Sequence, residues 1–293
     1  MYYENVEKNK KLTTLIIFLY GLVLLFVAYM VGLNTNLGNV GTVMLMLFSL
    51  VLTYVNYKTS HKLVLASVGA KKADENYYNI QEMVSALAIA AGTTPPKLYI
   101  MESEQMNAFA TGLKQEDAVI CLTTGIINGL EKSELEAVIA HELTHILNFD
   151  IRVTAVLAGM VGAIALIGNV VLRFSSSKSK REEGGNILWI ITLIFLILAP
   201  IISTIIQMLV SRTREYMADA GAIGLTRNPD ALKSALIKIS SGSQKIGDED
   251  AYTVASMFIE EPDVEKRKKD GKSSLFDSHP SLTERINAID QLI

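Results

Sequence analysis

Leu135-Glu136-Ala137-Val138-Ile139-Ala140-His141-Glu142-Leu143-Thr144-His145-Ile146-Leu147-Asn148-Phe149 is the stretch on which the reading of the whole chain turns. Val138, Ile139, Leu143 and Leu147 recur at helical spacing and Ser133 or Glu131 stands near the start, so a helix is predicted from Leu135 to Phe149. On such a helix His141 and His145, four positions apart, project from one face about a turn from each other. Two imidazoles so disposed suit Zn2+, which takes histidine nitrogens at about 2.0–2.1 Å. Glu142 follows the first of them, where its carboxylate reaches a water on the metal without binding the metal. There it accepts that water's proton during attack on a peptide carbonyl. The bland reading is two surface histidines that happen to fall at this spacing. With only 4 His in the chain, that coincidence is the weaker account.

Outward from this helix the composition points to a membrane. Hydrophobic residues make up 50% of the chain, charged ones 19%, and mean hydropathy is +0.31, which argues against an ordinary soluble domain. The net charge of −3 leaves no basic surplus for nucleic acid. The single Cys121 excludes an internal disulfide framework and a thiolate zinc cage, and reads as a small apolar residue in a buried strand. Four apolar stretches account for the composition: Leu12 to Leu33, Leu37 to Val55, Val153 to Leu172 and Ile187 to Val210. Each reaches roughly the 20 residues that a helix needs to cross a hydrocarbon core. The third carries Gly159, Gly162, Gly168 and Asn169, and reads either as a span or as a re-entrant, protein-buried segment. The N-terminal run, behind Lys8, Lys10 and Lys11, is too long for a signal peptide and is followed at once by a second span. An uncleaved anchor is expected.

Lysine and arginine placement gives the orientation. Lys8, Lys10 and Lys11 precede the first span, the Asn34–Asn36 link is uncharged, and Lys58, Lys62, Lys71 and Lys72 follow the second. The positive-inside rule then puts the N-terminus and the segment from Tyr57 to Arg152 in the cytoplasm. Arg173, Lys178, Lys180 and Arg181 resist this, because parity puts their loop outside. Either the cytoplasmic basic residues outvote the loop, or the third and fourth segments form a hairpin that does not fully cross.

The expected organisation has four parts: an N-terminal transmembrane hairpin (1–57), a first cytoplasmic catalytic part with the HExxH helix (58–152), a second membrane hairpin (153–210) and a second cytoplasmic part (211–293). The fold class is a mostly α membrane protein, with about four transmembrane helices and a small α/β zincin-like catalytic domain. Asp74 opens a helix that Gly92 stops, and strands are predicted over 97–101, 108–111 and 118–123. Asn228 and Pro229 open another helix, and Ser281-Leu282-Thr283-Glu284 is a capping box opening the last one. Between them, 240–276 reads as loop.

A catalytic zinc needs a third protein ligand and an open position. Glu215, in Arg214-Glu215-Tyr216-Met217-Ala218-Asp219, is the best carboxylate candidate. Asp219 lies one turn on and faces the same way, where it can accept the free ring N–H of a ligand histidine. The alternative is a solvated helix face on which Arg212 and Arg214 pair these acids.

Taken with the spans, these motifs resemble the HtpX-type membrane metalloproteases, relatives of the CAAX prenyl endoproteases. Asn107-Ala108-Phe109-Ala110-Thr111-Gly112 is similar to that family's strand before the active-site helix, and Ser278-His279-Pro280 with Arg285 is similar to its C-terminal His-Pro element. The resemblance implies a gluzincin-like site holding one Zn2+ per chain on His141, His145 and Glu215, with Glu142 as base. It implies Asn107 near the substrate backbone, and His279 and Arg285 near the cleft, with His279 steadying the developing oxyanion. The bland readings are a strand-end polar residue for Asn107 and a turn residue for His279. A multi-pass protein of the prokaryotic inner membrane is implied, its active site and termini cytoplasmic, cleaving membrane proteins in quality control and stress response. Two other functions compete: processing of a defined lipidated substrate, and a transporter or scaffold in which zinc is structural. The absence of ionisable residues within the first, second and fourth spans speaks against transport.

Overall fold

The computed structural model describes residues 2–34, 38–158, 160, 212–241, 259 and 280–292. Two long helices lead the chain, α1 (Tyr2–Asn34) and α2 (Gly38–Ser67), and both contain windows long and apolar enough to cross a membrane. Their pairing is inverted relative to a water-soluble pair. Ser49, Thr53, Asn56 and Ser60 are buried, and Asn56 Nδ2 donates to Tyr20 Oη at 3.2 Å. Phe18, Leu22, Phe26, Val43, Leu47 and Phe48 are exposed. An apolar surface that extensive is stable against lipid and aggregates in water, and small polar residues between helices suit membrane packing. The third and fourth apolar stretches lie outside the described residues, apart from the start of the third.

A small sheet follows, in the order β1 (Lys71–Lys72), β2 (Lys97–Met101), β4 (Val119–Thr123), β3 (Ala108–Thr111). β2 pairs β4 in parallel, while the other two pairings are antiparallel. Every residue of β4 is buried, because both faces of the sheet are covered. On one face Leu98, Ile100, Ala108, Ala110, Ile120 and Leu122 join the main core with α3 (Tyr78–Ala90) and α5 (Lys132–Leu147). The alternate residues Phe109, Val119 and Cys121 pack on Val64 and Leu65 at the end of α2, as the period of two in a strand requires. The membrane helix therefore docks directly on the back of the sheet. Each fully buried Ile or Leu side chain contributes about 1.5–3 kcal/mol.

Thr123 ends β4 and its side chain caps the short α4 (Thr124–Gly129), accepting from Ile126 N. The HExxH helix α5 starts at Lys132, earlier than its apolar periodicity implies, because Glu131 and Glu134 form a reciprocal capping box. It stops at Leu147. Asn148 is the C-cap, Phe149 adopts φ 59°, and a new helix, α6, runs over 150–158. Beyond it come α7 (Arg212–Thr226), α8 (Pro229–Ser241) and α9 (Leu282–Asp290). Asn228 Oδ1 accepts from Ala231 N at the start of α8, and Ser281 with Glu284 forms the capping box that opens α9. At the N-terminal end of α5, Glu134 accepts from Ser234 Oγ (2.6 Å) and Lys238 Nζ (2.8 Å), which ties α8 to it.

Candidate metal centre

Two helices build the site. His141 and His145 lie one turn apart on α5, and Glu215 and Asp219 lie one turn apart on α7, which crosses it closely. Gly221 permits that crossing: a Cβ there would stand 2.5 Å from Thr144 Oγ1. The two imidazoles meet edge to face, with Nε2 of one 3.2 Å from Nε2 of the other. Glu215 closes the triangle, with Oε2 3.6 Å from His141 Nε2 and Oε1 3.6 Å from His145 Nε2. Ligands at zinc's usual bond lengths stand roughly 3.3–3.4 Å apart along the edges of a tetrahedron. The three separations bracket that value, so the donor set fits the ion in kind and in spacing.

The outward nitrogens are held as well. His141 Nδ1 lies 3.0 Å from Asp219 Oδ1, and His145 Nδ1 lies 3.1 Å from Asp150 Oδ2. A carboxylate accepting from Nδ1–H fixes the tautomer and leaves Nε2 free to ligate. Asp219 is itself held by Arg285, whose Nε donates to Oδ2 at 2.9 Å and Nη2 to Oδ1 at 2.5 Å. Burial opposes charge on His141, but hydrogen bonds to Asp219 and Glu215 outweigh it and raise its pKa to about 9. Burial pushes the Glu142 carboxyl above the usual range, with His141 and His145 pulling the other way. Burial would likewise raise Asp219, but the Arg285 charge and the His141 hydrogen bond bring it below the ordinary value.

A buried His-His-Glu cluster with a neighbouring acid is the constellation of a zinc peptidase, and sequence comparison decides the family. The model of Peptidase family M48 matches residues 74–293. The chain belongs to family M48. Curated relatives called "Protease HtpX homolog" are 40% identical in Dictyoglomus turgidum (98% of this chain, 94% of the relative) and 37% identical in Listeria monocytogenes serotype 4a (all of both). The crystal structure of Ste24p from S. mikatae matches with a TM-score of 0.50 at 20% identity, over 97% of this chain and 66% of that one. That likeness concerns the fold alone. M48 membership makes the chain a metalloprotease, in a family whose metal is generally zinc.

The remaining residues singled out in the sequence take these positions in the M48 fold. Asn107 is buried just before β3, where its N–H donates to Thr123 Oγ1 (2.9 Å) and its Oδ1 accepts from Ala108 N (3.0 Å). Arg285 is 2% exposed and its guanidinium is engaged by Asp219, so it stands behind the candidate metal ligands. Arg285 Nη1 also donates to Ile259 O (3.4 Å), while Ile259 N donates to Ala108 O on the outer edge of β3 (3.0 Å). His279 lies outside the described residues. Asp150 is the site residue that sequence reading missed. It follows His145 by five positions, and the turn at Phe149 is what brings it back to the imidazole.

Proposed function

We propose that this M48 metalloprotease is a zinc-dependent endopeptidase of the bacterial inner membrane, cleaving membrane proteins at the cytoplasmic face in protein quality control. The observation that carries the reading is the convergence of two Nε2 atoms and one carboxylate, with each Nδ1 backed by an acid. His141, His145 and Glu215 would hold one Zn2+. When bound it would polarise the scissile carbonyl and supply a water of lowered pKa. Glu142 is the base: burial raises its proton affinity, while His141 and His145 pull the other way, and it takes a proton from water and passes it to the leaving nitrogen. Asp219 and Asp150 orient the two imidazoles, and Arg285 neutralises the Asp219 charge. The outer edge of β3 suits pairing with an extended substrate, which would have Asn107 at one end and would compete with Ile259 for Ala108. His279 is assigned to the developing oxyanion on the resemblance alone.

A structural zinc would be closed by four protein ligands. The cluster found among the described residues offers three, which leaves a position for chemistry. The test is Glu142→Gln in the full chain. Zinc content is expected to stay at one per chain, while cleavage of a model membrane substrate falls by a factor of about 10²–10⁴. Activity surviving at the wild-type level would remove Glu142 as base.

A further inference from the structure

Asn9 lies near the start of α1, a helix otherwise read as a membrane anchor. It is 6% exposed, and both hydrogens of its amide have partners. Nδ2 donates to Asn148 O at 3.0 Å and to Asp150 Oδ1 at 2.8 Å. Those acceptors flank Phe149, the residue of positive φ at which α5 ends and α6 begins. The other Asp150 oxygen, Oδ2, is the one that meets His145 Nδ1 at 3.1 Å. An unbroken chain of contacts thus runs from the first membrane helix through Asp150 to the second histidine of the HExxH motif.

The surroundings hold this chain in place. Thr13, wholly buried, donates from Oγ1 to Asn9 O at 2.8 Å, and Lys10 Nζ stands 4.8 Å above the Phe149 ring. Further along α1, Ile16, Tyr20 and Leu24 pack against Val153, Val156 and Leu157 of α6. Arg214 Nη1 approaches Asp150 Oδ1 at 3.8 Å from the α7 side. A buried amide costs free energy unless its hydrogen bonds are made, and here they are made to the turn that aims Asp150. The neutral donor also occupies Oδ1 alone, which leaves Oδ2 to His145.

We propose that Asn9 is a positioning residue for the metal ligand His145, acting through Asp150, so that α1 is part of the metal centre as well as an anchor. The proposal rests on the reading of His145 as a zinc ligand. It does not require Asn9 to touch metal or substrate.

The experiment uses the full chain in detergent. Zn2+ affinity is measured by chelator competition, and the visible absorption of Co2+ in its place reports coordination geometry. Asn9→Leu and Asn9→Asp are expected to weaken zinc about 10–100-fold, as loss of support behind a metal ligand does, and to alter the Co2+ spectrum. Leu15→Ala, at an exposed position on the same helix, is expected to match the wild type. The exchange Asn9→Asp with Asp150→Asn restores a donor–acceptor pair between these positions and leaves Oδ1 of residue 150 for His145. It is expected to bind zinc more tightly than Asp150→Asn alone, which a merely misfolded N-terminus would not produce. Should Asn9→Leu and Asn9→Asp bind zinc like the wild type while His145→Ala does not, the proposal falls and the metal reading stands. If His145→Ala also binds like the wild type, both fall together.

Discussion

His141 stands between two demands that pull its proton in opposite directions. Asp219 and Glu215 favour the imidazolium and raise its pKa to about 9 in the metal-free fold, whereas a zinc ligand must present an unprotonated Nε2. An unfolded histidine titrates near about 6.5. A group whose folded pKa is raised contributes stability that is fully present below the unfolded value and is lost as pH rises through the folded one. The metal-stripped protein is therefore expected to lose thermal stability between pH 6.5 and about 9. Added Zn2+ acts the other way. The rise in melting temperature it produces is expected to grow over the same interval, as fewer protons must be displaced. Thermal denaturation in detergent, with and without zinc across this range, checks both slopes. A metal-free melting temperature flat across the interval would remove the Asp219–Glu215 pair as the cause of the shift.

Between elements, the crossing of α5 and α7 sets the site. Glu215 reaches the histidines only because Gly221, further along α7, lets the two backbones close on Thr144. A methyl at 221 would overlap the Thr144 side chain, which is branched and buried and has little room to turn away. Gly221→Ala is expected to cost about 1–3 kcal/mol by overpacking and to loosen zinc binding as Glu215 moves outward. Adding Thr144→Ala removes Oγ1 and the methyl while leaving Cβ 3.1 Å away, so partial recovery is expected in the double variant. Denaturation midpoints and zinc affinity of the three variants test this. A stable, tightly binding Gly221→Ala would mean the crossing distance is not limiting. The same crossing marks how far sequence could lead. Two histidines on one helix face are visible in the spacing, and so is a carboxylate pair one turn apart in an apolar helix. Asp150 was hidden because Phe149, a non-glycine residue at φ 59°, resets the helical phase just before it. Arg285 was placed near the cleft by the resemblance alone, and its pairing with Asp219, 66 positions away, exists only in the tertiary fold. Lys71 and Lys72 carry no apolar alternation to announce the edge strand that they form.

For the whole molecule, the length of α2 fixes where the catalytic part lies relative to the bilayer. Its 30 residues extend about 45 Å at 1.5 Å per residue, against a hydrocarbon core of about 30 Å. The surplus, roughly ten residues, carries Val64 and Leu65 out of the membrane and onto the back of the sheet. In the proposed reading, the candidate metal centre is thereby held at the membrane surface, on the side at which α2 ends. Lys8, Lys10 and Lys11 before the apolar part of α1, together with Lys58, Lys62, Lys71 and Lys72 after the apolar part of α2, support the proposal that this side is the cytoplasm. The chain is well suited to a direct test, since its single Cys121 is 1% exposed and burial, followed by the Glu142 charge, pushes its thiol pKa up, which keeps it inert. Two introduced thiols then report on opposite sides: Thr35→Cys in the link between the first two apolar stretches, and Glu75→Cys, exposed beside the sheet. In intact bacteria a membrane-impermeant maleimide is expected to label Thr35→Cys at once and Glu75→Cys only after lysis. The reverse pattern would turn the protein over and move its substrates to the outer face. Labelling of both in intact cells would mean that α1 and α2 do not span the bilayer as a pair, and the inverted packing of Asn56 and Tyr20 would then need another partner than lipid.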